Sequence, residues 1–191
     1  MSEVISFNTD ELAKPILAPE APPQIFGLVH ESHEILSKVL PEFDFANPPV
    51  NPNEFASTLV ETCKAHNGYG LSANQCGFEH RVFVAGHGDN YVAYFNPEIL
   101  TTSTTTSHMA EGCLSYPFLG LHITRPDTIV VKYQDFNGET HQETFDGLTA
   151  RIIQHELDHL NGIVYTSRAK PLALQMSLKK RDKLMKKLRL K

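Results

Sequence analysis

The stretch Gln154–His159, reading QHELDH, constrains this chain more than any other. Two imidazoles four residues apart leave one face of a helix together, so both can reach a single metal ion. Glu156 follows the first imidazole directly, where a carboxylate can exchange protons with a metal-activated water without being a ligand. The flanking residues predict the helix, over 147–160. Asp146 is an N-cap candidate, Leu148, Ile152, Ile153, Leu157 and Leu160 are its apolar positions, and Asn161-Gly162 is a C-terminal stop. A surface helix that merely carries two histidines would match the same letters, so the motif needs support elsewhere in the chain.

Composition sets the frame for that support. A chain of 191 residues holds one domain with appendages and can bury a sizeable core. Its 41% hydrophobic and 20% charged residues are those of an ordinary soluble globular protein. No apolar run approaches the ~20 residues of a membrane span. Glu3, Asp10 and Glu11 stand where a secretory or transit segment would be basic or acid-poor, so neither is expected. Cys63, Cys76 and Cys113 are odd in number and form no CxxC pair. A disulfide framework is therefore not expected, and a cytoplasmic location is.

Along the chain, residues 1–24 contain Pro15, Pro19, Pro22 and Pro23 and read as an extended N-terminal arm. The apolar residues Ile25, Leu28, Val29, Ile35, Leu36 and Val39 predict a helix over 25–40, with His30 and His33 as surface residues. A second helix is predicted over 53–66, capped by Asn53, with Phe55, Leu59, Val60 and Cys63 facing inward. Strands are predicted at 81–84 and 91–95, the latter ended by Asn96-Pro97. A further strand or edge falls at 98–107, a longer strand at 121–133, and a return at 139–145 after the Asp135–Gly138 turn. The whole predicts an α+β fold, with small antiparallel sheets packed around a central metal-binding helix and a C-terminal helix after it.

Two further stretches carry chemistry. Gly68–Gln75 reads GYGLSANQ, a small-residue run in which a backbone can approach a ligand closely on the way to one amide side chain. Glu111–Ser115 reads EGCLS. Its Cys113 would be a third metal ligand beside His155 and His159, leaving the open fourth position of catalytic sites. Without the helix the same cysteine reads as a small buried hydrophobe.

Together, GYGLSANQ, EGCLS and QHELDH resemble the three motifs of the peptide deformylases, in that family's order, across roughly 53–165. Ser72 stands where the first motif has alanine, a small change expected to keep the backbone path. Gly120 stands where many members carry an arginine that holds the far end of the substrate. The resemblance implies a catalytic domain over 1–170 and one divalent ion, Fe2+ in the cell or Zn2+, Ni2+ or Co2+, on Cys113, His155 and His159. The expected activity is removal of the formyl group from formyl-methionine of new polypeptides. It implies Glu156 as general base and then acid, with the Gln75 amide and the Leu114 N–H stabilising the oxyanion. It places Tyr69, Met109, Leu148 and Ile152 around the methionine side chain, with core packing as their alternative. Gly70 and Gly112 would let the peptide run alongside as an added strand. Arg125 and Asp158 would brace the helix or, more plainly, be solvent-exposed charges. A monomer is expected.

The net charge of −5 conceals an asymmetry. Residues 179–191 carry eight basic residues against Asp182, or +7, and leave −12 on the remainder. A basic amphipathic helix over 171–191 would then dock on ribosomal RNA, or simply lay its leucines on the body. Two rival readings share the metal motif. A zinc endopeptidase would need a histidine or acid ligand after the helix, and 163–178 contain neither. A metal-stabilised nucleic-acid module would need four closing ligands, of which three are visible.

Overall fold

The computed structural model describes residues 24–189. The expected arm over 1–24 therefore lies, but for Gln24, outside the described residues. Three helices, α1 (Pro52–Ala65), α2 (Gly147–Leu160) and α3 (Pro171–Arg189), accompany seven strands. These are β1 (Gly70–Ser72), β2 (Val82–His87), β3 (Asn90–Thr102), β4 (Thr106–Cys113), β5 (Tyr116–Pro126), β6 (Thr128–Gln134) and β7 (Thr140–Asp146). An antiparallel five-stranded sheet runs β1-β2-β3-β6-β7, and β4-β5 form a separate two-stranded ribbon. The α+β expectation is met, with small antiparallel sheets and a C-terminal helix.

Helix α2 is packed from several sides. Phe83, Tyr94, Ile129 and Val131 of the large sheet meet its Ala150, Ile153, Leu157 and Leu160 in one core cluster. Every residue from Ile153 to Leu160 is buried, including Gln154, His155, Glu156, Asp158 and His159. Polar groups survive such burial only with partners, so the motif that defines α2 also dictates what must surround it. A second cluster joins Phe55, Leu59 and Cys63 of α1 to Leu71, Val82, Val84 and Phe95, and Cys63 is the buried hydrophobe expected. Where α2 ends, Gly162 takes φ +68°, and a Cβ there would lie 2.6 Å from the Ser37 carbonyl oxygen. Only glycine fits both constraints.

Four expectations about elements are corrected. The helix expected over 25–40 is an extended strap with one short turn at Glu34–Ser37. Its amides bond outward, Phe26 N–H to Thr62 Oγ1 at 2.9 Å, Val29 N–H to the Gln75 carbonyl at 2.9 Å and Leu40 N–H to the Leu160 carbonyl at 2.9 Å. Ile25 and Val39 are exposed, so the apolar spacing reflected docking of a strap and not one helical face.

Helix α1 starts a residue earlier than expected. Asn51, not Asn53, caps it, accepting from the amides of Asn53 and Glu54 at 3.1 and 3.2 Å, and Pro52 occupies the first turn, where no N–H is needed. Strand β3 does not stop at Asn96-Pro97. It continues to Thr102 across a bulge, with Asn96 at φ +49° and its side chain bonded to Phe43 and Gln134. The long strand at 121–133 is two strands in different sheets, parted at Pro126-Asp127.

Candidate active site

Strand β4 and helix α2 meet at the centre of the molecule. The ligating atoms of Cys113, His155 and His159 all lie within 4.8 Å of one another, and Cys113 Sγ is 3.2 Å from His159 Nε2. Donors on a tetrahedral zinc-sized ion stand about 3.5 Å apart, so the set is spaced as ligands are. Glu111 and Cys113, two residues apart on β4, both reach α2. Glu111 Oε2 lies 3.0 Å from His155 Nδ1, which leaves His155 Nε2 free to face the cluster.

Glu111 is itself saturated. Arg125 donates to it from Nε at 2.7 Å and Nη2 at 3.0 Å, and Arg151 from Nη1 at 2.6 Å. Arg125 reaches on to Asp158 at 2.8 Å, and Arg168 closes the far side of Asp158 with two further bonds. Arg125 and Asp158 are thus a buried pair at 3% and 5% exposure, and the solvent-exposed alternative is overturned. A charge cannot be left unpaired beside the wholly buried end of α2.

The electrostatic consequences diverge along the helix. Burial opposes ionisation of Glu111, but the bonds from His155 and Arg125 outweigh it and lower the carboxyl to about 2. Burial likewise disfavours charge on His155, yet its bonds to Cys113 and Glu111 raise it to about 10. A cation binding there must displace that proton, so ligation is coupled to proton release. Burial, reinforced by the charges of His155 and Arg125, keeps His159 well below the usual imidazole range. Glu156 goes the other way from Glu111. Burial raises it, and the charge of His155 and the Ser72 hydroxyl only partly offset that.

Gln75 completes the centre. Its Oε1 accepts from the Ser72 amide at 2.9 Å, while Nε2 donates to Ser115 Oγ at 3.0 Å and contacts Cys113 Sγ at 3.5 Å. The amide plane is thereby fixed with its donors toward the cysteine. Leu114 sits with Ser115 in the two-residue turn between β4 and β5.

A family model described as polypeptide deformylase matches residues 25–175. This chain belongs to the polypeptide deformylase family. Among its relatives, a peptide deformylase of Erythrobacter litoralis is 37% identical over 186 residues, covering 79% of this chain and 96% of that one. One from Thermotoga neapolitana is 43% identical over 123 residues, 64% of this chain and 74% of that one. The crystal structure of the Thermotoga maritima peptide deformylase superposes with a TM-score of 0.73 at 35% identity, covering 78% of this chain and 99% of that one. The Synechococcus elongatus enzyme in complex with actinonin gives 0.77 at 29% identity, covering 85% of this chain and 90% of that one. The protein is accordingly an enzyme of the deformylase class.

The deformylase centre opens into a cleft of about 880 Å³. Tyr69, Gly70, Gly112, Leu148, Ile152, His155 and Glu156 line it, together with Tyr116–Gly120. Met109 does not line it. Its side chain is 40% exposed on β4, and the cleft wall is formed instead by Ala110–Leu114. Gly70 also proves to serve the protein itself, since a Cβ there would fall 2.5 Å from Glu156 Oε1.

Five residues of this site went unread in the sequence: Ser72, Glu111, Ser115, Arg151 and Arg168. Glu111 and Ser115 belong to a quoted motif, and Ser72 was read only as a small residue. The two arginines had no local signal, because each acts through a carboxylate many residues away.

Proposed function

We propose that this enzyme removes the formyl group from peptides beginning with formyl-methionine, releasing formate. The observation that carries the reading is the convergence of Cys113, His155 and His159, with Cys113 and His155 lining one cleft beside Glu156 and Gln75. One thiolate and two imidazoles suit Fe2+, Zn2+, Ni2+ or Co2+, and Fe2+ is the ion we assign in the cell. When bound, the ion would polarise the formyl carbonyl and lower the pKa of water.

The remaining work falls to the chain. Glu156 accepts the proton of the attacking water and hands it to the departing amine, so amide plus water becomes formate and a free N-terminus. Gln75, its plane held by the Ser72 amide, offers the developing oxyanion the N–H that faces Cys113, and the Leu114 N–H supplies the second donor. Leu148, Ile152 and Tyr69 form the wall for the methionine side chain. The peptide lies along β1, whose outer edge has no strand partner among the described residues, in the manner of an added strand past Gly70 and Gly112. An Acinetobacter baumannii peptide deformylase has been solved bound to Met-Ala-Ser, which supports a peptide beginning with methionine.

Helix α3 gives a second contact. Arg181 donates to Glu31 and to the Pro117 carbonyl, holding α3 against the body, whereas Lys179, Lys180, Lys183, Lys186 and Lys187 are exposed. These lysines would bind ribosomal RNA. Replacing the five by glutamine, with Arg181 kept, should weaken a salt-sensitive ribosome association and leave small-peptide turnover intact. Association that stays unchanged would remove the idea.

Formate release from formyl-Met-Ala-Ser tests the main reading. It should stop on anaerobic treatment with a chelator and return with Fe2+ or Co2+. Cleavage of internal peptide bonds without formate would point to an endopeptidase instead.

A further inference from the structure

Strand β1 is only three residues long, yet two of them address the same carboxylate. Gly70 and Ser72 share one side of the strand, as residues two apart must, while Leu71 points the other way into the core. On the shared side lies Glu156. Ser72 Oγ is 2.8 Å from Glu156 Oε2 and 3.1 Å from the main-chain oxygen of the same residue. Oε1 sits against Gly70, where the cleft opens.

The geometry points to Ser72 as a positioning residue, one that locks Glu156 so that Oε1 alone faces the substrate. The inference rests on the role given to Glu156 above and adds the residue that sets its orientation. A hydroxyl bonded only to the main-chain oxygen would tether the helix to the strand. Ser72 Oγ is within reach of both the main-chain and a carboxylate oxygen of Glu156, and a bond to the carboxylate restrains the side-chain torsions as well. Its single hydrogen favours the shorter, charged acceptor, where such bonds are strongest.

No other protein group among the described residues donates a hydrogen bond to the Glu156 carboxylate. Ser72 and Glu156 are at 0% and 4% exposure, so bulk water does not stand in for the hydroxyl. Without it the carboxylate is held by packing alone, and proton transfer is sensitive to misplacements of an ångström.

The test compares wild type with Ser72→Ala and Ser72→Thr in formate release from formyl-Met-Ala-Ser. Metal content and thermal midpoint are measured on the same samples. Ser72→Ala removes one oxygen from a buried site and is expected to fold. Its kcat should fall roughly tenfold or more, the size expected for loss of a bond to a charged group. KM and bound metal per chain should stay as in wild type. Ser72→Thr keeps the hydroxyl and should recover most of the lost kcat.

A Ser72→Ala enzyme within twofold of wild type in kcat overturns the role of Ser72. So does a loss that appears equally in KM or in metal content, because that is damage to the fold. Wild type that releases no formate would instead overturn the deformylase reading itself.

Discussion

One carboxylate packs against α2 and another belongs to it, and the protein treats the two in opposite ways. On the β4–β5 side, Glu111 takes hydrogen bonds from Arg125, Arg151 and His155, and its pKa is driven down to about 2. On the β1 side, Glu156 has one hydroxyl, a glycine beside it and an upward-shifted pKa. Both are buried. Burial therefore does not decide what a carboxylate does; the number of donors left around it does. A saturated carboxylate orients a ring and cannot give up its charge. An under-saturated one holds its charge less firmly and takes up a proton more readily.

The sharpest way to break this contrast is at Glu156. Glu156→Gln keeps the shape and removes the base, so formate release should fall about 10²–10⁴-fold while metal content is retained. A fall below tenfold would place the proton transfer elsewhere.

At the saturated carboxylate the expected loss is in stability. Arg125→Ala would strip one cation from both Glu111 and Asp158, at a cost of about 3–5 kcal/mol in denaturant unfolding. A cost under 1 kcal/mol would mean that Arg151 and Arg168 suffice.

The same site sets an acid limit. The folded Glu111 titrates near 2 and the unfolded one near 4.5, so between those values the unfolded state binds more protons. Stability from this group is complete above pH 4.5 and is lost as pH falls through about 2. Glu111→Gln should flatten that part of the decline, measured by unfolding at pH 5, 4 and 3. An unchanged slope would assign the acid sensitivity to other groups.

The smallest effect is expected at the cleft rim. Phe118 is 57% exposed and held at φ +64°, where a side chain costs roughly 1–2 kcal/mol. Phe118→Gly should leave the protein as stable or slightly more so, while KM for peptides with an apolar second residue rises a few-fold. An unchanged KM would make the strained rim irrelevant to substrate.

What could be read beforehand followed from distance along the chain. Within α2, Gln154–His159 set the helix, its buried face and the pairing of His155 with His159, because a helix converts spacing directly into direction. GYGLSANQ and EGCLS could be recognised because each is one short contiguous run, the first through β1 into the helical turn after it and the second from the end of β4 into the next turn.

Contacts between segments were another matter. The strap over 25–40 has helical spacing but spends its amides on Thr62, Gln75 and Leu160. The alternation of Ile123 with Ile129, Val131 and Tyr133 carries no mark of the change of sheet at Pro126-Asp127. By itself, then, the sequence determined the metal-binding helix and the motifs around it. Tertiary structure alone decided which carboxylate is saturated and which is left to a single hydroxyl. The reason is physical: Arg125 and Arg151 meet Glu111, and Ser72 meets Glu156, across 14, 40 and 84 residues of chain. No local periodicity encodes such meetings; packing of the sheet and ribbon around α2 creates them.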